Sequence, residues 1–423
     1  MNEYMLTSWL RPGLALMMCV FAVGLFAAQA QATEADNADR LYVANQGEAS
    51  VAVVDMDTHE VVETVDLQAH GYSENAQPHH AIAEPDGSAW CVSLIGDNVV
   101  LKFDADNDLV GEVSQEAPGL MGLHPERDEL YVARSMSAAD PPQRLAAIER
   151  SEMEVIDEID IFFPRPHAIA VSPDGRFAFS ASLATNQFIG VDTEARRGEL
   201  SLMDGPTHVI NQMDVAPGGD VVAGTGQISG QLLFFDVADS GELRVADTVD
   251  VGAQPWHPVF DPSGDYVYVP NKQSNTVSVV DATTREVVDT IEDDTFAEPH
   301  GAAVSPDGAY LYISNNHQRT MMQQMAQDMM DGAEMPEPDM MDSDHDEHHE
   351  DHHEDEHHED DHHEDDHHED EHHEDDHHED EHHEGHDMED HPGTISVVDL
   401  ETREVVKEIE VGIYATGIGT RAQ

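Results

Sequence analysis

From Leu41 onward the chain is written in short apolar runs that alternate with polar residues at a period of two. Tyr310-Leu311-Tyr312-Ile313-Ser314-Asn315 is one such run, and Tyr266-Val267-Tyr268-Val269-Pro270-Asn271 is its copy one unit earlier. Thr276-Val277-Ser278-Val279-Val280-Asp281 and Glu286-Val287-Val288-Asp289-Thr290-Ile291 follow that copy. Alternation of this kind marks half-buried strands. Pro-Asp-Gly turns or near equivalents separate the runs; Pro presets φ and Gly accepts a positive φ. The turn prolines fall at Pro85, Pro125, Pro173, Pro217, Pro262 and Pro306, and subtracting neighbours gives spacings of 40, 48, 44, 45 and 44. A repeat of about 45 residues carrying four short antiparallel strands has the size of one propeller blade.

Six units carry a turn proline. The chain starts part-way through a unit, with Leu41-Tyr42-Val43-Ala44-Asn45 and Val51-Ala52-Val53-Val54-Asp55, and ends on Gly412 to Gly419, which reads as a single first strand. Joining the two ends makes a seventh blade and leaves no open sheet edge. The pattern therefore predicts an all-β fold, a seven-bladed β-propeller closed by pairing of N- and C-terminal strands. The second unit departs from the rest: Pro125-Glu126-Arg127 lacks the glycine, and Ser135 to Arg150 reads as a longer loop.

Leu41-Tyr42-Val43-Ala44-Asn45, Val267-Tyr268-Val269-Pro270-Asn271, Leu311-Tyr312-Ile313-Ser314-Asn315 and Thr394-Ile395-Ser396-Val397-Val398-Asp399 resemble the signature of YVTN-type β-propellers. The likeness runs over 39–317 and 393–420. It implies the propeller fold and is poor in function. Relatives include surface-layer repeats, exported propellers, lactonase-like proteins and the propellers of nitrous oxide reductase and cytochrome d1-type proteins.

The repeat pattern breaks once, inside the last full blade. Residues 318–392 form a methionine-rich stretch followed by a tract of histidine and carboxylate, expected to be a disordered insertion. The chain thus divides into 1–32, 33–317, 318–392 and 393–423. The first segment has Arg11, an apolar stretch from Leu14 to Ala27 and a small-residue pattern Ala30-Gln31-Ala32. That is the plan of an export signal peptide, and it places the protein in the periplasm or at the cell surface. No later apolar stretch is long enough to span a membrane.

Charge sharpens the reading. The 423 residues hold 18 Lys and Arg against 89 Asp and Glu, a formal net charge of -71. Such a field disfavours nucleic acid and anionic membranes and attracts cations. It also suits a salty medium, where screening relieves self-repulsion. After signal removal Cys91 is the single cysteine, so neither an internal disulfide nor a thiolate-rich zinc site can form. No phosphate loop, nucleophile elbow, zinc-protease motif or haem-attachment motif is present.

Two sets of side chains carry candidate chemistry. The first is the tract: His348, His349, His352, His353, His357, His358, His362, His363, His367, His368, His372, His373, His377, His378, His382 and His383, in pairs with carboxylates between them. Neutral imidazole binds zinc, copper and nickel, and carboxylates add charge and oxygen ligands. A five-residue step turns about 140° on a 3.6-residue helix, so the pairs share no helical face. The expectation is a loosely selective, high-capacity binder of divalent transition metal (Zn, Cu or Ni) that weakens below about pH 6.5. The second set opens the inner strands: His79 and His80 after Pro78, His167 after Pro166, His208 two after Pro206, His257 near Pro255 and His300 after Pro299. These side chains are expected to converge on the axis, on the face that carries the insertion, as a candidate metal or ligand site or as blade caps. His59, His124 and His317 fall outside the pattern and are expected at the surface.

The first reading is an exported binding protein that sequesters or buffers divalent transition metal, monomeric, with metal ions and another exported protein or a metal transporter as partners. The alternatives are a periplasmic enzyme, a lactonase-like hydrolase or d1-type oxidoreductase centred on the axial mouth, and a non-catalytic interaction scaffold.

Overall fold

The computed structural model describes residues 39–138, 140–317 and 392–420. The strands come in fours. The chain opens with β1 (Arg40–Asn45), β2 (Ser50–Asp55) and β3 (Glu60–Asp66). Blade 1 follows as β4 (Pro78–Ala83), β5 (Ala89–Leu94), β6 (Val99–Asp104) and β7 (Leu109–Ser114). Blade 2 is β8 (Pro118–Leu123), β9 (Glu129–Arg134), β10 (Arg144–Glu149) and β11 (Glu154–Asp160). Blade 3 is β12 (Pro166–Val171), β13 (Phe177–Ser182), β14 (Gln187–Asp192) and β15 (Arg197–Leu202). Blade 4 is β16 (Ile210–Val215), β17 (Val221–Gly226), β18 (Gln231–Val237) and β19 (Leu243–Asp250). Blade 5 is β20 (Val259–Phe260), β21 (Tyr266–Asn271), β22 (Thr276–Asp281) and β23 (Glu286–Glu292). Blade 6 is β24 (Pro299–Val304), β25 (Tyr310–Asn315), β26 (Pro392–Asp399) and β27 (Glu404–Ile413). β28 (Ala415–Gly419) then pairs with β1, so the seventh sheet runs β28-β1-β2-β3. The ring closes through the two ends of the chain, as the repeat count requires.

Burial explains the sequence texture. Second strands such as β5 and β13 are buried along their whole length, because a neighbouring blade covers each face. Fourth strands such as β3 and β23 are mostly exposed. Each seam between blades carries its own apolar cluster, seven in all, including the two that flank the closing blade. At the seam of blades 7 and 1, Tyr42 stacks on Trp90 at 4.6 Å and Trp90 on Phe103 at 4.4 Å. The Trp90 indole N–H donates to Asn107 Oδ1 at 3.0 Å, so burial leaves no orphan donor there.

The aspartates that end many third strands have a structural purpose. Asp55, Asp192, Asp281 and Asp399 each accept backbone N–H bonds through Oδ1 from residues two and three further on. The next residue enters the left-handed region: His59, Arg196, Arg285 and Arg403 have φ of 54°, 54°, 58° and 60°. This is an Asx-capped hairpin turn that launches the outermost strand.

Blade 2 departs from the expected longer loop. β10 starts at Arg144, so the connection ends at Gln143, and the lower part of the supposed loop is regular strand. Pro125-Glu126-Arg127 makes its turn without glycine because His124 Nδ1 accepts from the N–H groups of Glu126 and Arg127, at 3.1 and 2.8 Å. His124 is therefore a buried turn organiser, 3% exposed, and not a surface residue. His59 is half-buried against Tyr310 and bonds Tyr312 Oη at 2.9 Å.

Residues 1–32 and 318–391 lie outside the described residues, and so do the expectations placed on them. Among the described residues no helix is long and apolar enough to cross a membrane. Cys91 is buried and free, and burial pushes its thiol up to about 12.

Candidate functional site: the axial histidines and channel

One backbone device, repeated seven times, sets what faces the axis. The residue just before the first inner-strand pairing of each blade has a left-handed φ: Gln77, Ala117, Arg165, Val209, Gln254, Glu298 and Tyr414, between 44° and 59°; in blade 5 that pairing is the bridge of Pro255, ahead of β20. In every blade its carbonyl accepts the N–H of the residue just past the second strand, as in Ile95 to Gln77 at 3.1 Å and Gln46 to Tyr414 at 3.0 Å. The residue after it pairs with the last residue of the second strand: Pro78 with Leu94, Pro118 with Arg134, Pro166 with Ser182, Ile210 with Gly226, Pro255 with Asn271, Pro299 with Asn315, Ala415 with Asn45. These pairings give one register for all seven blades.

In that register two tiers follow. The first holds His79, Gly119, His167, Asn211, Trp256, His300 and Thr416. The second holds His80, Leu120, Ala168, Gln212, His257, Gly301 and Gly417. The six axial histidines named from sequence thus separate. His79, His167 and His300 share the first tier, and His80 and His257 the second. His208 belongs to neither. It precedes the left-handed Val209, binds Ser229 Oγ at 2.9 Å, and leaves the tier position to Asn211. Spacing from Pro206 misplaces it, because the register is set by the left-handed residue and not by the proline. His317 lies at the exit of β25, with Nε2 3.2 Å from Thr394 Oγ1.

The imidazoles meet in pairs. His79 and His167 have ring centroids 5.8 Å apart, across a blade that offers only Gly119. His80 and His257 meet across the axis at 6.3 Å. His300 packs on Trp256 at 4.6 Å. His167 Nδ1–H donates to the Arg134 carbonyl at 2.9 Å. The Met121 N–H donates to His80 Nδ1 at 3.3 Å, which requires that nitrogen to be unprotonated. Gln212 Nε2 lies 3.2 Å from His257 Nε2. Among the described residues, neither ring nitrogen of His79 nor Nδ1 of His300 has a hydrogen-bond partner.

Burial dominates the electrostatics. Loss of water pushes His79 down to about 3, with the neighbouring His167 adding to it, and His167 and His257 down to about 4. His80 and His300 are held well below the usual imidazole value by burial first and by the other imidazoles next. At neutral pH the cluster is uncharged, which suits ligation or hydrogen bonding. Still, among the described residues no group of three or more His, Cys, Asp or Glu stands close enough to hold a metal ion.

Beyond the second tier an axial cavity of about 470 Å³ opens toward the Pro-Asp-Gly turns. All seven inner strands contribute to its wall. The wall is mostly apolar; its polar residues are His80, Gln212, His257 and Asp214, with Ser172, Asp261 and Thr420 also lining it. The Asp214 carboxylate accepts the Val215 N–H at 2.9 Å and the Phe260 N–H at 2.8 Å, and burial raises its pKa to about 6. Sequence reading missed Asp214 and Gln212. In a chain with 89 acidic residues one more aspartate carries no signal. The register carries it: Asp214 stands where other inner strands place Ile82, Ala170, Val259 and Ala303.

Architecture and axial cavity define the molecule as a seven-bladed β-propeller with a closed ring. Residues 212–328 match the family described as lactonase, 7-bladed beta-propeller, which is under half of the chain. A protein described as functionally unknown from Desulfotomaculum acetoxidans DSM 771 is similar in fold, with a TM-score of 0.61 and 14% identity over 90% of this chain and 98% of that one. Kuenenia stuttgartiensis hydrazine synthase has a TM-score of 0.49 and 23% identity over 58% of this chain and 75% of that one. No curated protein matches the chain.

Proposed function

We propose that the protein is an exported propeller that binds and buffers divalent transition metal, zinc, copper or nickel, through the tract from His348 to His383. One observation carries the reading: paired imidazoles recur every five residues with carboxylates between them, the donor set these metals prefer. The propeller acts as the carrier. Its described residues offer imidazole pairs and no group of three ligands, so the reading assigns the metal to the tract. The chain leaves blade 6 after His317 and re-enters at Pro392. Asn315 pairs with both Pro299 and Thr394, so both attachment points sit at the end where β24 begins, the end that carries His300. Export is supported by Arg11 and the apolar stretch before Ala30-Gln31-Ala32. A metal-receiving exported protein or transporter is the partner this reading implies.

Calorimetry with zinc, copper and nickel tests it, on the intact chain and on a chain whose paired histidines 348–383 are replaced by asparagine. Several equivalents should bind at pH 7.5 with proton release, weaken below about pH 6.5, and vanish in the replaced chain. Equal uptake by both chains would overturn the reading.

A hydrolytic function is favoured by one observation, the lactonase match, whose span includes the channel residues Gln212, Asp214 and His257. Turnover of a lactone panel that disappears in Asp214→Asn and His257→Ala would establish it; no turnover at any pH from 5 to 8 would remove it.

A further inference from the structure

Among the described residues, the axial channel holds a buried carboxylate with no cation beside it and a buried amide oxygen with no donor. Asp214 and Gln212 stand two apart on β16, hence on one face and about 7 Å apart along the strand. Asp214 receives two backbone N–H bonds, yet among the described residues no Lys or Arg forms an ion pair with it. Gln212 is 5% exposed and lines the same cavity. Its amide nitrogen faces His257, which leaves Oε1 free, and Oε1 has no partner among the described residues. A buried acceptor left without a donor costs about 1–3 kcal/mol, so a ligand that supplies one gains by binding.

The surroundings narrow the ligand. Ile82, Val259, Phe260 and Ala303 give the wall much of its apolar surface, and Asp261 adds a second carboxylate to the lining. A volume of about 470 Å³ lies within the range of small-molecule sites. An inorganic divalent ion is a poor fit, because it needs several converging ligands and the described residues bring no three together. The histidines at the inner end are uncharged at neutral pH, so they do not repel a cation. The formal charge of -71 draws cations toward the molecule.

We propose that the axial channel is a binding site for an organic cation, a primary or secondary ammonium on a compact apolar body, donating N–H groups to Asp214 and to Gln212 Oε1. The site uses none of the tract's residues, and its test uses metal-free protein, so the two readings stand or fall independently.

The probe is phenethylammonium, with 2-phenylethanol as its uncharged match, titrated by calorimetry into the chelator-treated full chain in 0.5 M NaCl to screen the acidic surface. One equivalent of the amine should bind, at least ten-fold tighter than the alcohol. Asp214→Asn should weaken the amine at least ten-fold and remove its preference over the alcohol. Ala303→Phe, which fills the channel from another blade and leaves the charge in place, should abolish binding of both. Circular dichroism and melting confirm that each variant folds. If Asp214→Asn does not fold, Gln212→Met and Ala303→Phe carry the test. Three results would overturn the proposal: equal affinity for amine and alcohol, amine binding that persists in Ala303→Phe, or displacement of the amine by equimolar magnesium.

Discussion

The rings of His79 and His167 lie 5.8 Å apart, and the blade between them contributes only Gly119 at that level. The glycine is what allows the approach. A Cβ at position 119 would fall 2.5 Å from the Arg134 carbonyl oxygen, so no other residue fits without moving the backbone. Burial, and for His79 the neighbouring His167 as well, favours the neutral state of both rings.

That pairing sets an acid limit on stability. His79, His167 and His257 keep pKa values of about 3, 4 and 4 in the fold, against about 6.5 in the unfolded chain. The unfolded chain therefore binds protons first. Their contribution is complete above pH 6.5 and is lost as pH falls from 6.5 toward 4, by about 1.4 kcal/mol per pH unit for each group. Asp214, raised to about 6, acts in the opposite sense and offsets one of them between about pH 6 and 4. Melting temperature should thus fall steeply below pH 6.5. A His79→Leu, His167→Leu variant should show a shallower fall. Equal pH slopes for variant and parent would refute the assignment.

Trp90 joins the closing blade to blade 1. Its ring is fully buried between Tyr42 and Phe103. Trp90→Ala should destabilise by about 3–5 kcal/mol, read from urea unfolding of the full chain. A loss under 1 kcal/mol would mean that the seam is not closed in solution.

Much of this architecture is legible from the chain alone, and the reason is its repeat. Turn prolines near every 45 residues, middle strands apolar throughout and a stray first strand before Gly419 leave one closed arrangement, although that strand starts at Ala415 and not at Gly412, because Gly412 and Ile413 end β27. The site is less legible. Pro-His pairs point toward the axis, but the register depends on a left-handed residue that has no fixed identity: Gln77, Ala117 and Val209 serve equally. This is why His208 looks axial and is not, and why Trp256 holds the position that His79 holds in blade 1. Asp214 is invisible for a different reason, since its meaning comes from the apolar positions that the other blades place beside it.

The seven left-handed positions also differ in strain. Val209 is β-branched and has φ 58°, a conformation that disfavours such side chains most. Asparagine tolerates it. Val209→Asn should therefore raise stability by about 0.5–1 kcal/mol, less than the full αL penalty of roughly 1–2 kcal/mol because asparagine keeps part of it. A lowered melting temperature would show that packing of the half-buried valine outweighs its backbone strain.

Closure rests on glycine where β28 meets β4. A Cβ on Gly417 would lie 2.2 Å from the His79 carbonyl oxygen, and one on Gly419 would lie 2.1 Å from that of Ala81. Both obstacles are backbone, so neither can rotate aside. Between them Ile418 is buried in the cluster that joins blades 6 and 7. Gly417→Val should thus hold β28 away from blade 1 while leaving every other seam intact. The expected outcome is protease cleavage near the C-terminus under conditions that spare the parent, and hydrogen exchange that rises first in β28, β1 and β4. His79 would lose its confinement in the same step, so its pKa should climb back toward 6.5 by NMR titration. Unchanged exchange in β28, with His79 still neutral at pH 5, would mean that the ring closes by some other contact.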